Sequence, residues 1–471
     1  MSKIVIARGD GIGPEIMQAV LSILDAAHLP LAFQEIEIGE KVYKKGYNTG
    51  IAPSTWEILQ TSDAFLKAPI TTPQGGGFKS LNVSVRASLD LYANIRPCIA
   101  YDPFVATKHA GMDVVVVREN EEDLYTGVEY RHTLDQTYVA YKIISRAGCE
   151  RIIDYAFRYA LANGRKKVTA FTKDNILKLT DGLFHQIFDE IAAFYPEIEK
   201  EHWIIDIGAA KLADTPEAFD VIVMPNLYGD ILSDVAAQIA GSVGLAGSAN
   251  IGEKGAMFEA IHGSAPRRAG QDLANPSGLL LAAIQMLAYL GHTQGATHIH
   301  NAYLATLEAG IHTYDIYKAQ TSKEKVGTQA FARAVIERLG EHPKKLKAAS
   351  YFEMGPSRYK KQAPSTPQKQ LVGADFFIDC SKGLSFIEKT LGKLKAPLSL
   401  EHIGNRGIIV SSQSSALPAC LDQWRCRFKG SRVSQADVIG TLEALTHAGF
   451  DVVQVQNLYT FNGEAHFCFS R

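Results

Sequence analysis

Short apolar runs alternate with longer amphipathic stretches through the first two-thirds of the chain. KIVIAR precedes PEIMQAVLSILDAA, KVTAFTK precedes FHQIFDEIAAFY and FDVIVMPN precedes DILSDVAAQIAG, with AFLKAP and MDVVVVRE as further short runs. Apolar runs of strand length alternating with helical periodicity predict an α/β protein with a largely parallel sheet and crossover helices. Residues 125–146, YTGVEYRHTLDQTYVAYKIISR, alternate β-branched and aromatic positions around a polar centre, which predicts a two-stranded arm. An arm of that size buries little by itself, so its apolar face needs a partner.

The pattern changes after residue 340. Between His342 and Gln370 there are seven Lys or Arg against one acid, Glu353, and three prolines fall between 356 and 367. That composition predicts a solvated linker rather than a core element. Beyond it ADFFIDC, GLSFIEKTLGKLK, LSLEHIG, RGIIVSS, WRCRFKG, SQADVIGTLEALTHAG, DVVQVQNLY and EAHFCFS predict a separate small α+β domain. It holds no grouping of acid, base and nucleophile, so a packing or assembly role is expected of it.

Composition narrows the class. A chain of 471 residues exceeds one average domain, and 46% hydrophobic with 21% charged residues suits a protein with a large core. The formal charge of −2 predicts neither nucleic acid nor a membrane surface as partner. Six cysteines (98, 149, 380, 420, 426 and 468) form no CxxC pair, which argues against zinc and against a disulfide scaffold. The first apolar run, Ile4 to Ala7, is one strand long, and no run reaches membrane-spanning length. A cytoplasmic protein is expected.

Three stretches carry candidate chemistry. In NLYGDILSD, Asp230 and Asp234 stand four apart on a predicted helix, where two carboxylates repel unless a cation lies between them. A hard divalent ion answers that need, and a solvated acidic face is the other reading. The glycine-rich GDGIGPE follows a strand, but its spacing is G-x-G-x-G, and a tight turn with Pro14 near the first helical position explains it. Residues 66–97 hold Lys67, Thr71, Thr72, Ser80, Asn82, Arg86 and Arg96, and Arg118 ends a run of four valines. Three arginines able to fork onto carboxylates suit a substrate with several of them. Strand ends carry sites in open α/β sheets, whereas surface salt bridges explain a single arginine equally well.

These stretches carry a resemblance. GDGIGPE, SLNVSVRASLDLYANIRP, RENEEDLYTGVEY, TKDN, NLYGDILSD, GSANIG and EAIHGSAPRRAGQDLANPSG stand in the order found in the isocitrate and isopropylmalate dehydrogenase family, and the resemblance covers about residues 1 to 340. It implies a fold with a large cofactor domain (1–91 and 241–345), a small dimer-forming domain (92–122 and 147–240) and an arm (123–146). A linker (346–371) and a C-terminal α+β domain (372–471) follow. Ser80-x-Asn82-x-x-x-Arg86 resembles the members that act on isocitrate, since members acting on isopropylmalate have apolar contacts there. An extra carboxylate needs polar partners, because burying it unpaired is costly.

Position by position, the resemblance implies that Thr72, Ser80, Asn82, Arg86, Arg96 and Arg118 bind substrate, that Tyr125 is the general acid and that Lys173 helps to deprotonate the hydroxyl. Asp230 and Asp234 match the metal aspartates of one subunit, for Mg²⁺ or Mn²⁺. Asp206 matches the third, which in this family comes with Lys173 from the other subunit of a homodimer. Thr71, Asn175, His262, Gly263, Arg267, Arg268, Asn275, Tyr314 and Lys318 match the cofactor site. Arg267 and Arg268 stand where members using NAD carry an acid, so the positive charge implies the 2′-phosphate of NADP. The bacterial members that use NADP commonly have lysine and tyrosine there, and the arginine pair departs from that pattern while keeping its charge. The implied reaction is oxidative decarboxylation of isocitrate to 2-oxoglutarate in the tricarboxylic acid cycle. Alternatives are a homoisocitrate or isopropylmalate type of enzyme, or a silent tricarboxylate-binding protein. NRGIIVSS, WRCRFKG and SQADVIGTLEAL are similar to an extra C-terminal domain in some bacterial members.

Overall fold

A computed structural model describes residues 2–71, 80–361, 366–413 and 418–468. Two compact units emerge, Met1–Thr126 with Lys142–Lys360, and Gly127–Tyr141 with Lys361–Arg471. The strands of the first unit are β1 (Lys3–Ala7), β2 (Ala32–Glu35), β3 (Ala64–Lys67), β4 (Ala93–Ile99) and β5 (Asp113–Glu119), and, after the arm strands β6 (Glu129–Arg131) and β7 (Tyr138–Ala140), β8 (Lys167–Thr172), β9 (Glu199–Ile204), β10 (Val221–Met224), β11 (Gly247–Ile251) and β12 (Ala256–Ala260). Apart from the arm they form one sheet in the order β2-β1-β3-β12-β11-β4-β5-β10-β8-β9. A short parallel pair, β13 (Ile311–His312) and β14 (Glu324–Lys325), lies apart from it.

The expected parallel pairing holds on both flanks, β2-β1-β3-β12 and β5-β10-β8-β9. The three pairings across the centre are antiparallel. Val114 to Val117 of β5 are all buried, as a strand covered on both faces requires. The helices are α1 (Gly13–Ala26), α2 (Glu40–Lys44), α3 (Pro53–Gln60), α4 (Leu81–Ser88), α5 (Arg146–Ala162), α6 (Thr180–Ala192), α7 (Ile205–Asp214), α8 (Asn226–Ala240), α9 (Ser277–Tyr289), α10 (Thr293–Glu308) and α11 (Thr328–Ile336). Ahead of α1, Gly9 and Gly11 have φ of +65° and +59°, and a Cβ on Gly11 would lie 2.0 Å from the Ser264 carbonyl oxygen. Close backbone approach therefore explains the GDGIGPE glycines, with Pro14 in the first turn of α1.

Register at the antiparallel centre places polar residues on one face. Asn94 pairs with Arg118 and Asn250, Ser248 with Glu259, and Glu259 with Lys67. Arg96, two residues beyond Asn94, shares that face because strand side chains alternate. The result is a polar band, Lys67, Glu259, Ser248, Asn250, Asn94, Arg96 and Arg118, all buried within the sheet.

Within the expected linker, Leu346, Ala349, Tyr351, Met354 and Tyr359 pack against the core of the first unit. Glu308 accepts the backbone N–H groups of Lys344 and Lys345 at 2.7 and 2.6 Å. Apolar residues spaced among the lysines give this segment something to bury, and composition alone does not register that spacing.

The second unit follows the order β15 (Lys369–Asp379), α12 (Leu384–Leu391), β16 (Ser399–Asn405), β17 (Ile408–Val410), β18 (Gln423–Lys429), α13 (Gln435–His447), β19 (Asp451–Phe461) and β20 (Glu464–Ala465). Its antiparallel sheet runs β17-β16-β18-β15-β19-β20, the split βαββαβ arrangement with one added hairpin strand at each edge. The arm finds its partner here: the Leu134 N–H donates to Asp379 at 2.9 Å, Gln423 meets the His132 ring at 2.5 Å, and that ring lies 6.3 Å from Phe377. Arg427 forks onto Asp375 at 2.6 and 2.8 Å in the interior of this unit.

Two substitutions test these buried pairs. Removing one partner of a buried pair leaves an uncompensated charge, so Asp375→Asn is expected to lower the stability of the second unit by about 3–5 kcal/mol in denaturant melts. In the first unit, burial alone would raise the Glu259 carboxyl, yet Lys67 and Arg86 together hold it well below its ordinary 4.5. A depressed carboxylate stabilises the fold above its unfolded value and loses that contribution as pH falls through the folded one. Glu259→Gln should therefore destabilise by about 3–5 kcal/mol near neutrality. It should also flatten the acid limb of stability below pH 4.5, read from denaturant midpoints across pH.

Candidate active site

The helix α8 starts at Asn226 behind Pro225 and carries Asp230 and Asp234 on one face, as their spacing predicts. The charge between them comes from the neighbouring strands. Arg96 reaches Asp234 at 3.0 Å and Asp230 at 3.4 Å, and Arg118 reaches Asp230 at 2.5 Å. Gly229 permits this contact, since a Cβ there would lie 2.5 Å from Arg118 Cγ. Asn226, buried at the helix start, accepts from Arg118 Nη2 at 2.7 Å and fixes the guanidinium plane. The Tyr125 hydroxyl donates to the same Asp230, and its ring lies under Arg118 with 4.8 Å from Cζ to the ring centroid.

These groups line one cavity of about 300 Å³ together with Lys67, Ser80, Asn82, Arg86, Glu259, His262 and Gly263. Glu259 accepts from Lys67 at 2.8 Å and from Arg86 at 3.1 Å. Ser80 is the N-cap residue of α4, yet its hydroxyl makes no capping bond and is free to meet a ligand. Asn82 Oδ1, Arg86 Nε and His262 Nε2 are buried without hydrogen-bond partners among the described residues. Orphaned donors and acceptors around a polar cavity fit a polar, anionic occupant. Thr72 lies outside the described residues.

Electrostatics sharpen the fit. Burial, then Arg86 and Arg96, push the Arg118 pKa down to about 9, and burial followed by Arg86 lowers that of Arg96. Such crowding of cations favours an occupant with several negative charges. Burial opposes ionisation of Asp230, but Arg118, the Tyr125 hydroxyl and Arg96 outweigh it and hold its pKa low. Asp234 is raised by burial despite Arg96. Burial and the bond to Asp230 raise Tyr125, which therefore keeps its proton at neutral pH. The oxygen-only donor set of Asp230 and Asp234, the latter with 61% of its side chain exposed, fits a hard divalent ion.

Lys173 and Asp206 are paired with each other at 2.5 Å and do not line this cavity. Hydrogen bonding to Lys173 lowers the Asp206 carboxyl. Asn175 is exposed on the same loop.

The residues expected at the cofactor site make separate local contacts. Thr71 Oγ1 meets Ser264 Oγ at 2.7 Å, and the Thr71 N–H donates to Asp10 at 2.9 Å. Burial lowers the His262 pKa, so its imidazole is neutral. The Arg268 guanidinium lies 4.6 Å from the Tyr314 ring centroid, bringing two of the expected phosphate-pocket residues together. Arg267 and Lys318 are exposed near them in sequence. Asn275 is buried and spent within the fold, donating to Asp315 at 3.0 Å and accepting from the Ser277 N–H at 2.9 Å, which ties the arginine loop to the Tyr314 turn. Glu259 and Asn226 were not foreseen as site residues. An acid closing the apolar run AMFEA was the available signal for Glu259, and nothing in the pattern singled out Asn226.

Comparison with known proteins agrees with this layout. The isocitrate/isopropylmalate dehydrogenase family model matches residues 3–335, and the model for the C-terminal domain of bacterial isocitrate dehydrogenase matches residues 369–471. The protein named isocitrate dehydrogenase [NADP] of Rickettsia felis is 51% identical over 472 residues, 98% of each chain. Its namesake from Thermus thermophilus is 39% identical over 474 residues, 98% of this chain and 94% of the relative. A crystal structure of a Thermus thermophilus protein superposes with a TM-score of 0.92 at 38% identity, covering 99% of this chain and 95% of that one. With a family model spanning most of the chain, and polar residues gathered where that family's motifs fall, this chain belongs to the isocitrate/isopropylmalate dehydrogenase family.

Proposed function

We propose that this chain catalyses the NADP-dependent oxidative decarboxylation of isocitrate to 2-oxoglutarate and CO₂, in the tricarboxylic acid cycle of the cytoplasm. The observation that carries the reading is the single cavity lined by Ser80, Asn82, Arg86, Arg96 and Arg118 together with Tyr125, Asp230 and Asp234. The relatives' name, isocitrate dehydrogenase [NADP], points the same way. Unpaired, scattered cysteines are in keeping with a reducing compartment. Among the described residues no helix is long and apolar enough to cross a membrane.

In this reading the arginines exchange their aspartate partners for the carboxylates of the substrate, and Ser80 and Asn82 pair with the one that an isopropylmalate lacks. Asp230 and Asp234 would hold Mg²⁺ or Mn²⁺, which would supply Lewis acidity at the substrate hydroxyl, and bound NADP⁺ would supply the hydride acceptor. Lys173, paired with Asp206, helps to deprotonate that hydroxyl. Tyr125 delivers a proton to the carbon that CO₂ leaves, and its raised pKa keeps that proton available until the carbanion forms. Arg267, Arg268, Tyr314 and Lys318 receive the 2′-phosphate, with His262, Gly263, Thr71, Asn175 and Asn275 shaping the rest of the cofactor site.

The distance of Lys173 and Asp206 from the cavity of their own copy supports a homodimer in which each site borrows these two residues from the other chain. Ile231 and Val235 of α8 and Ile207 of α7 are exposed apolar residues beside the aspartates, which supports burial against a second copy.

Three measurements test the reading. Purified protein with Mg²⁺ should reduce NADP⁺ with isocitrate, followed by the absorbance of the reduced nicotinamide, and stay slow with isopropylmalate, homoisocitrate or NAD⁺. The double substitution Arg267→Ala, Arg268→Ala should cut the preference for NADP⁺ over NAD⁺ in kcat/KM about a hundredfold or more, since each charged hydrogen bond contributes roughly 1.5–3 kcal/mol. Tyr125→Phe should suppress isocitrate decarboxylation while sparing reduction of oxalosuccinate, and equal losses in both assays would remove Tyr125 from its role. For the shared site, refolding a mixture of Lys173→Met and Asp234→Asn chains should recover about a quarter of wild-type activity, because half of the dimers are hybrids with one intact site of two. No recovery from two inactive parents that do form hybrids would place both residues in one chain's site.

A further inference from the structure

A second group of metal-capable side chains lies at the β8–β9 edge of the sheet, outside the cavity. Asp174 follows Lys173 in the loop after β8, His185 comes from α6 and His202 from β9. One ligand atom of each lies within 4.8 Å of the others, and no other such group of three occurs among the described residues. Asp174 Oδ2 is 2.7 Å from His185 Nδ1 and 4.0 Å from His202 Nε2. The two imidazoles stack with centroids 3.6 Å apart at 17°. Asp189 Oδ2 stands 3.9 Å from His185 Nε2, and Thr172 Oγ1 lies 2.8 Å from His202 Nε2.

Burial and the neighbouring His185 both lower the His202 pKa, so the neutral, metal-binding form is the one present at neutral pH. Donors comprising two ring nitrogens and a carboxylate favour borderline transition ions, whereas Mg²⁺ and Ca²⁺ prefer oxygen alone. A tetrahedral ion sets its ligand atoms roughly 3.3 Å apart, and the stacked rings turn about χ2 for both nitrogens to converge on it.

We propose that Asp174, His185 and His202 form a binding site for a borderline divalent transition ion such as Zn²⁺ or Co²⁺, separate from the all-oxygen pair on α8. The ion sits at His185 Nδ1 beside Asp174 Oδ2, with His202 Nε2 as its third ligand, and water completes its coordination. Its bonds tie α6 to the loop after β8 and to β9. Lys173 immediately precedes Asp174 in the chain, and Asp206 follows His202 by four residues. The site therefore acts on structure, holding the two segments that present Lys173 and Asp206. It is argued from donor geometry and does not rest on the proposed reaction.

The test uses the full chain, stripped of metal and then held in excess Mg²⁺ so that the α8 carboxylates are occupied. Co²⁺ followed by visible absorption, and Zn²⁺ by calorimetry, should each bind at one equivalent per chain, and Zn²⁺ should raise the thermal midpoint. His185→Gln and His202→Gln should each weaken binding by about tenfold or more and abolish the midpoint shift, while Asp234→Asn leaves both intact. If the histidine variants do not fold, Asp174→Asn, which keeps the side-chain shape, should show the same loss. The proposal fails if wild type binds no Zn²⁺ under excess Mg²⁺, or if binding survives in the Asp174, His185 and His202 variants.

Discussion

Four cations, Lys67, Arg86, Arg96 and Arg118, are buried around one cavity, and the first unit is arranged to make that tolerable. Removing four charges from water costs several kcal/mol each unless every charge meets a partner. Glu259 serves Lys67 and Arg86, while Asp230 and Asp234 serve Arg96 and Arg118. Asn226 and the Tyr125 hydroxyl complete the shell. The aspartates that neutralise Arg96 and Arg118 are therefore already engaged within the chain, and each of the four cations meets an acid without any added ion.

Sheet topology makes the arrangement reachable. In a fully parallel sheet the polar ends of strands lie along one rim, but here the antiparallel centre brings the end of β5 beside the start of β4 and the end of β12 beside the start of β11. Side chains two apart on β4 then share a face with partners from four other strands. Covalent order plays little part, since Lys67 and Glu259 are 192 residues apart yet lie in direct register on adjacent strands. The loop that carries Arg268 is tied to the Tyr314 turn through Asn275 and Asp315, so the cofactor side has its own anchor, independent of the arginine cluster.

The second unit shows the same economy in its interior. A bidentate, buried Arg427–Asp375 pair joins β15 and β18 on the sheet face opposite the one that carries Phe376, Phe428 and Trp424. Docking of the arm tip on Asp379 and Gln423 answers the arm's want of a core without any exposed sheet edge of its own being lengthened. The strap of residues up to Tyr359 is held by Glu308, Asn301 and apolar anchors, and the lysines among them stay in water, as their charge requires.

Local pattern alone determined the α/β class, the arm, the separate C-terminal domain and the placing of Asp230 and Asp234 on one helical face, because periodicity of 2 or 3.6 is set by backbone geometry and needs no distant partner. The motif order likewise identified Ser80, Asn82, Arg86, Arg96, Arg118 and Tyr125 as residues of one site, and they do line one cavity. Tertiary structure alone decided what neutralises the charges. Glu259 belongs to the site through β3–β12 register, Asn226 through its bond to Arg118, and Gly229 through the space that Arg118 needs. Long-range register also decided that the sheet's centre is antiparallel, since a strand's direction depends on which neighbour it meets. Tertiary contact likewise brought Arg96 against both Asp230 and Asp234 and Arg118 against Asp230, from strands more than a hundred residues earlier, because only folding brings charges that far apart in the chain together.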